Sequence, residues 1–552
     1  NVDKATVIKA IVVVNGKKSQ LSSQTYFIGL DKYDGYDGVA LMEITMDPDD
    51  LYDYYDGIYQ IGNVYDRYIA KFDTNLLDSS FHYNNANYAK EGRGWERPAK
   101  IEFLDSDHKK VFEQNIGIRI HGGWSTSYNQ KSFNLYARSE YDGNDSFLYN
   151  FFDQSFNKIM LRTGGFRDSY VTKIRDVFVQ SLVEDRNIGI QRFEPCNVFI
   201  NGEYWGLYNL QETIGTSYVS AYYGVAEDNV LIMKNNETNT VPEDAILYNE
   251  IVNFAANNDL AIEENYRFIE ERIDIQSYID YFCFEIYIGN CDSVANNFAR
   301  WRSLNIGDGE YEDGRWRWLL YDTDDSAGMQ SWLSTAETDS FISGHWSKDP
   351  LGENGDVLFS ALMHNEEFKR RFALSFMDMV NYNFEYSKVT SILSELADVY
   401  READIKSQER FRGGWSISDY SDDIYTGEYT SDVFYHDVAV IDKFFKDRFN
   451  YITAYMKQDL ELDGELSQIT LHSNMANAAE FSINTLRLLE FDGEWHGEYF
   501  TDYPITLKCE TQEGYNFVGW KCDGKLLSTD EQLVLDIDDG GITITALIET
   551  EK

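Results

Sequence analysis

Three things are scarce in this 552-residue chain, and each scarcity removes a class of protein. No run of about 18 apolar residues occurs, so no stretch reads as a membrane-spanning helix. The five cysteines, Cys196, Cys283, Cys291, Cys509 and Cys522, are too few for a disulfide scaffold and show no paired metal-ligand spacing. Cys509 and Cys522 could bridge, closing a loop that would contribute ~3 kcal/mol by chain entropy. Cys283 lies inside an apolar helical stretch and reads as core. Basic residues are the third shortage: 48 Lys and Arg against 94 Asp and Glu give a formal charge of −46. Such a field repels phosphate backbones and anionic lipid, which argues against nucleic-acid and membrane-surface binding, and it favours divalent cations. A nucleotide pocket in this chain has to be a basic island.

What is present is ample for folding, at 43% hydrophobic and 15% aromatic residues. At ~150 residues per domain the length implies two to four units. The stretch around which the rest is organised is Asn290 to Gly328. Before it, Ile275, Tyr278, Ile279, Phe282 and Ile286 fall on one helical face, and Gly289 stops the helix. The loop that follows carries Asp292 and, five residues on, Asn297. It closes on an aromatic strand, RWRWLLYD, running into the acidic knot Asp322, Asp324 and Asp325. A catalytic Asp, an Asn five positions later and an Asp after the next strand are the groups phosphoryl transfer uses to accept a hydroxyl proton and hold a metal on the nucleotide phosphates. Taken alone, D-x-x-x-x-N also suits a loop with capping side chains.

Upstream, TVIKAIVVVNG reads as a strand ending in an Asn-Gly turn, and residues 1–34 as an extension. VALMEITMDPDDLYDYYDGIYQIGN reads as a strand followed by an acidic, turn-rich loop whose carboxylates face solvent, since the spaced calcium-loop pattern is missing. Ile116, Ile118 and Ile120 alternate, as do Phe133 and Leu135, which predicts two strands joined by GGWSTSYNQK. Arg119 before that turn and Lys131 after it can face phosphates, though an ordinary hairpin needs neither. KIMLRTGGFRDSYVTKIRDVFVQSLVEDRNIGI predicts a strand, a turn and an amphipathic helix from about Tyr170 to Asp185. VFI and EYWGLYNL are joined by Asn201-Gly202, a type I′ hairpin signal, with Glu212 ending the second strand. VLIMKNN is a further strand, residues 244–290 are mainly helical, 337–358 form a Gly- and Pro-bearing loop, and 358–460 read as three or more helices. Past Asp463-Gly464 short alternating runs predict a small β-rich unit. The opening Asn1-Val2-Asp3, without Met or an apolar core, suggests a removed leader or a trimmed segment.

These motifs together resemble the CotH (spore-coat protein H) family of atypical secreted protein kinases, over roughly residues 35–460. The matching elements are N-x-D…N at Asn290, Asp292 and Asn297, then D-x-D-x-x-x-G at Asp322, Asp324 and Gly328, with Tyr321 where the family usually has Trp. I-R-I-H-G-G-x-S…K-S-F resembles the family's R-G-x-S…K-K-S element, with Gln130 in place of a second basic residue. KIRD resembles its L-R-N element, with Asp176 replacing Asn. GYNFVGWKCDG resembles the G-Y-x-F-x-G-W repeat of bacterial cell-surface proteins. The resemblance implies an α+β, two-lobed kinase-like fold, with a β-rich amino-terminal lobe and a helical carboxy-terminal lobe over 35–463, plus a small β-rich accessory domain over 464–552. It implies ATP with Mg²⁺ or Mn²⁺, Asp292 as catalytic base, and Asn297, Asp322 and Asp324 as metal ligands. Lys131 and Arg119 would contact phosphate, with Glu212 paired to the lysine or serving the metal site. The expected partner is a secreted or surface protein carrying Ser or Thr, or the chain itself, and the expected location is a bacterial cell surface or the medium.

Two other readings stay open on the residues. A non-catalytic adhesin that keeps the kinase shape suits the acidic surface and the carboxy-terminal repeat. A two-carboxylate glycoside hydrolase suits the abundance of Trp, Tyr and acid, but its chemistry has no use for Asn297 or the Arg119/Lys131 loop.

Overall fold

The computed structural model describes the chain except residues 1–4, 20–21, 31–33, 72–84, 166, 236, 294–295, 331–332, 343–355, 412–428, 490 and 552. It is a mixed protein, 35% helix and 29% strand. The first expected strand is split in two. Residues Thr6–Ala10 (β1) pair antiparallel with Ser22–Tyr26 (β2), while Val13–Val14 turns onto Lys17–Lys18 through Asn15-Gly16, both at positive φ. β2 is held to the body by Thr25, whose hydroxyl bonds the buried Glu102 at 2.8 Å.

Seven strands then close a barrel: Ala40–Met46 (β3), Arg97–Leu104 (β4), Lys110–His121 (β5), Ser132–Tyr136 (β6), Lys158–Arg162 (β7), Phe193–Ile200 (β8) and Glu203–Glu212 (β9). Their order is β8-β9-β7-β6-β5-β4-β3, and β3 closes the ring by running parallel to β8, Ala40 opposite Cys196. Strand alternation fills the interior with Ile101, Ile118, Phe133, Leu135, Ile159 and Leu161. It turns Arg119, His121, Asn134, Tyr136, Lys158 and Arg162 outward on β5, β6 and β7. The hairpin at Asn201-Gly202 forms as expected, with φ of 52° and 82°.

Two expected elements differ. The acidic run after β3 is not all loop: Pro48–Tyr52 (α1) and Gly62–Ile69 (α2) are helical. Asp47 caps α1 by accepting from the Asp49 amide, and Pro48 follows at the first helical position, a start signal that outweighs the run's turn-like composition. The helix expected over 170–185 is confined to Arg175–Ser181 (α3), because Lys173 is left-handed at φ 61° and the buried Asp168 carboxylate takes the Arg175 amide.

Beside the barrel, Thr216–Tyr223 (α4) precedes a second sheet of Val230–Lys234 (β10), Glu237–Thr238 (β11), Ala299–Ser303 (β12) and Arg317–Leu319 (β13), ordered β11-β10-β12-β13. Helices Ile246–Asn257 (α5), Glu263–Glu270 (α6), Ile275–Ile288 (α7), Val357–Leu362 (α8), Glu366–Tyr382 (α9), Tyr386–Phe411 (α10) and Ser431–Asp459 (α11) share one aromatic core. In it Phe282 stacks on Phe359 at 4.4 Å and Tyr287 on Phe384 at 4.0 Å. Most of the predicted 337–358 loop lies outside the described residues.

After residue 464 the described residues form nine strands, β14 to β22, beginning at Leu466–Ser473 and ending at Ile542–Thr550, in a five-stranded and a four-stranded sheet. They are fastened to α9 by the buried Asp378, which accepts from the Asn484 amide, both donors of Thr485 and the Tyr499 hydroxyl at 2.7–2.9 Å. Cys509 and Cys522 carry free thiols, as do the other three cysteines, so the considered bridge is not formed.

Arg448 on α11 is fully buried and, among the described residues, makes no ion pair with a carboxylate. Its guanidinium donates to the carbonyls of Ile286, Tyr287, Ala336 and Thr338 and to Ser340 Oγ at 2.6–2.9 Å, fixing the end of α7 against the 336–340 segment. Replacing it with Met strands those acceptors, and leaving several buried carbonyls unpaired costs roughly 3 kcal/mol or more. Arg448→Met is therefore expected to lower the urea midpoint sharply. Arg448→Lys, lacking the planar fork, should recover less than half of the loss.

Candidate functional site

The site is built where three segments meet: the outer end of β7, the loop after α7 and the loop after β13. Helix α7 ends as its sequence predicts, with Gly289 at φ 62°. The next residues turn on themselves: the Asp292 amide donates to Asn290 Oδ1 at 3.1 Å and Ser293 Oγ to the Asn290 carbonyl at 3.2 Å. The Asp292 carboxylate accepts from Asn296 Nδ2 at 3.0 Å and from Asn297 Nδ2 at 2.8 Å. Burial, helped by the charges of Asp325 and Asp322, pushes Asp292 up to about 6 against those two amides. The two loops are stitched together by Cys291 N to the Asp325 carbonyl at 3.1 Å and Ala327 N to the Ile288 carbonyl at 2.8 Å. Asn297 and Asp322 are both left-handed, at φ 53° and 60°, a conformation non-glycine residues hold only when the surroundings enforce it.

Arg162, the last residue of β7, was not singled out in the sequence and is the centre of the arrangement. Its Nη2 donates to Asp322 Oδ1 and, at 2.7 Å, to Asp324 Oδ1, and its Nε lies 3.5 Å from the Asp176 carboxylate. Burial works to raise the Asp322 carboxyl, but the guanidinium overrides it and the carboxyl titrates below its usual range. Asp324 moves the other way, raised by burial and by the charge on Asp322. Gly165, left-handed at φ 96°, backs onto Asp324 so tightly that a Cβ there would lie 2.4 Å from the carboxylate.

Asp176 on α3 was noted only as a replacement for Asn, yet it joins three elements. It accepts from Gln211 of β9 at 3.1 Å and from the backbone and hydroxyl of Thr323, each at 2.8 Å, which sets the Asp322–Asp324 turn against the barrel. Arg175 beside it is fully buried and pairs with Asp168 at 3.2 Å and Asp437 at 2.9 Å, tying α11 to the same framework.

Two further groups border the acidic turn. Lys234 ends β10 with its ammonium 4.8 Å from the Tyr321 ring centroid and, among the described residues, no ion pair; burial brings it down to about 8, opposed by Asp322. His121 is pushed down to about 3 by burial and by Lys158, Arg162 and Lys234, so it is neutral. Arg162 and Lys234 share a sequence context, a cation closing a short apolar strand that leads directly into a loop, but that context alone does not separate them from a solvent-facing strand end.

Of the predicted residues, Asp292, Asn297, Asp322 and Asp324 come together. Lys131 stands elsewhere: its ammonium is buried, donates to the carbonyls of Thr126 and Tyr128 at 2.7 Å each, and lies 4.0 Å from the Tyr88 ring centroid. It holds the β5–β6 turn. Glu212 is not its partner. It accepts from the Arg192 amide at 2.8 Å and from the Tyr222 hydroxyl on α4, and burial raises it to about 7. Arg119 lies on the outer barrel face against Tyr136, 5.5 Å from the ring centroid.

The oxygen donors fit a hard divalent cation. Asp322 and Asp324 supply carboxylates, and Asn297 commits its amide nitrogen to Asp292, so its oxygen is the atom a cation would use. Among the described residues no three His, Cys, Asp or Glu side chains form a metal cage, so such a site needs the amide. A protein-family model described as CotH kinase protein matches residues 118–452, more than half of the chain. No curated protein matches it.

Arg162→Met leaves Asp176, Asp322 and Asp324 without their common counter-charge, at an expected loss of about 3–5 kcal/mol. Without the guanidinium that lowers them, the buried Asp322 and Asp324 carboxyls titrate at higher pH in the folded than in the unfolded state, so the native variant binds extra protons and regains stability as pH falls. Melting curves of wild type and variant should lie furthest apart near pH 8 and converge toward pH 5.

Proposed function

The chain belongs to the CotH kinase family, and from that premise we propose that it is a secreted or surface-exposed protein kinase moving the γ-phosphoryl group of ATP to a Ser or Thr hydroxyl of a protein. The observation that carries the reading is the Asp292–Asn297 pair set beside the Asp322–Asp324 pair that Arg162 holds, next to the Lys234 ammonium, which makes no ion pair among the described residues, in a chain of net charge −46. Asp322, Asp324 and the Asn297 oxygen would hold Mg²⁺ or Mn²⁺, which supplies charge neutralisation on the phosphates when bound. Lys234 and Arg162 take the phosphate-facing roles first expected of Lys131 and Arg119. Asp292, clamped by two amides, accepts the hydroxyl proton, and His121, being neutral, adds no charge beside the acceptor. Catalysis of this kind is positioning plus charge stabilisation, so the left-handed backbones at Asn297 and Asp322 are part of the machinery.

One observation favours a second reading, a non-catalytic binding protein of the same build. Arg162 already engages one oxygen of both Asp322 and Asp324. A cation would then have to compete for the remaining oxygens.

ATP with Mn²⁺ at a hundredfold excess over Kd should stabilise the protein by about 2.7 kcal/mol, and Asp322→Ala should cancel the melting shift. An unmoved melting curve would leave the non-catalytic reading standing. In the active protein, Asp292→Asn should abolish transfer from labelled ATP with little change in melting temperature. The base must be ionised to act, so kcat should rise with pH through about 6 and fall nearly tenfold per unit below it.

A further inference from the structure

Helix α7 buries a carboxyl that the phosphoryl transfer leaves without a role. Glu285 stands one turn before the Gly289 stop and is only 3% exposed. Its carboxyl faces the side chains of Asn290 and Ser293, the two residues that fold the loop of Asp292. The Asn290 backbone amide returns to the Glu285 carbonyl at 3.3 Å, so the helix end and the loop form one continuous turn. From there the contacts run outward to the reaction centre. Asn290 Oδ1 accepts the Asp292 amide, Ser293 Oγ donates to the Asn290 carbonyl, and the Asp292 carboxylate takes the side-chain amides of Asn296 and Asn297.

The donors and acceptors decide which form of Glu285 suits the place. Asn290 Nδ2 brings N–H donors, whereas Ser293 spends its one O–H on the Asn290 carbonyl, so toward Glu285 its oxygen can only accept. A carboxylic acid matches both, its carbonyl oxygen meeting Asn290 and its O–H meeting Ser293. A carboxylate offers acceptors alone and sets them against the Ser293 oxygen. Both Glu285 oxygens and Asn290 Nδ2 are buried, and none of the three closes a hydrogen bond of full geometry among the described residues, so they have only one another and Ser293 to turn to. Burial raises Glu285 to about 8, and the charges facing it act in the same direction, since Asp176 from α3 and Asp292 from the loop both oppose a further negative charge. Tyr281, one turn back on α7, is kept neutral by burial and by Glu285 itself.

We propose that Glu285 is a positioning residue of the reaction centre: through Asn290 and Ser293 it sets the backbone of Asp292, and with it the direction of the Asp292 carboxylate. The assignment rests on the kinase reading for the reaction it serves. Glu285 acts from behind the loop and takes no proton from the substrate. At neutral pH it is the acid, and the loop is pinned. When it ionises, Ser293 loses its donor and a second carboxylate charge stands behind Asp292, which pushes the loop out of place. The reaction then has a working range with two edges, the lower set by Asp292 and the upper by Glu285.

The test uses the full chain with Glu285→Gln, which keeps one acceptor and one donor in the same outline, and Glu285→Leu, which keeps neither. At pH 7 the Leu variant should transfer phosphate from labelled ATP at least tenfold more slowly, with KM for ATP within twofold of wild type, and the Gln variant should recover at least half of the wild-type kcat. Above about pH 8 wild-type kcat should fall nearly tenfold per unit while the Gln variant stays level to pH 9, a difference that packing alone would not produce. Hydrogen exchange of the segment 287–293 needs no catalysis: at pH 7 it should quicken in the Leu variant and keep the wild-type rate in the Gln variant. A Leu variant as fast in transfer as wild type overturns the proposal, as does an alkaline fall that is missing from wild type or equally steep in the Gln variant. If none of the three proteins transfers phosphate, the kinase reading falls and the exchange decides alone. Protection lost in the Leu variant and kept in the Gln variant then retains Glu285 as the anchor of the loop, and equal protection in all three removes it.

Discussion

One guanidinium decides how the barrel and the rest of the chain relate. Arg162 leaves the end of β7 and meets Asp322, Asp324 and Asp176, which come from two different segments. Burying three carboxylates together is prohibitive unless their charge is offset, and a single guanidinium that reaches all three supplies that offset. The acidic turn is thus held rigidly against the barrel before any ligand binds. Asp176 extends the same lock to α3, and through Arg175 and Asp437 to α11. Preorganisation of this kind is what charge-stabilising catalysis requires, and it is also what makes the arrangement intolerant of changes far from the acidic turn.

Much of this was legible in the residues and part was not. Periodicity located α7, the two halves of the β5–β6 hairpin and the Asn201-Gly202 turn, because each depends on local sequence alone. The Asp292, Asn297, Asp322 and Asp324 grouping was legible because its spacing repeats a chemical requirement. Lys131 misled for an instructive reason: a lysine after a glycine-bearing turn has the right charge and address, but nearby carbonyls satisfied it first. Arg162 and Lys234 were missed because a cation at a strand end usually faces solvent, and only the tertiary fold shows what faces each of them. The acidic run near residue 50 was read by composition when its helix-capping pattern was the better guide.

Electrostatics gives the molecule a division of labour. The net charge is strongly negative, yet Lys234, Lys158 and Arg119, which make no ion pair among the described residues, all lie on or next to the outward face of β5, β6 and β7. A uniform negative field would keep nucleotide and acidic partners away. Concentrating uncompensated positive charge on one face turns that repulsion into selection, since an anion is stable at that face and disfavoured over most of the remainder.

The parallel closure of the barrel bears on how the chain is made. Ala40 has no partner on one side until Cys196 exists, so a strand born early waits, edge exposed, for a neighbour translated some 150 residues later. At 5–20 residues per second that interval on the ribosome is roughly 10–30 s, long enough for an unpaired edge to seek a substitute. β4, which follows sooner, shields one flank of β3. The other flank stays open to whatever strand arrives first, which makes nascent-chain crowding and chaperone supply the conditions under which this protein's yield would be decided.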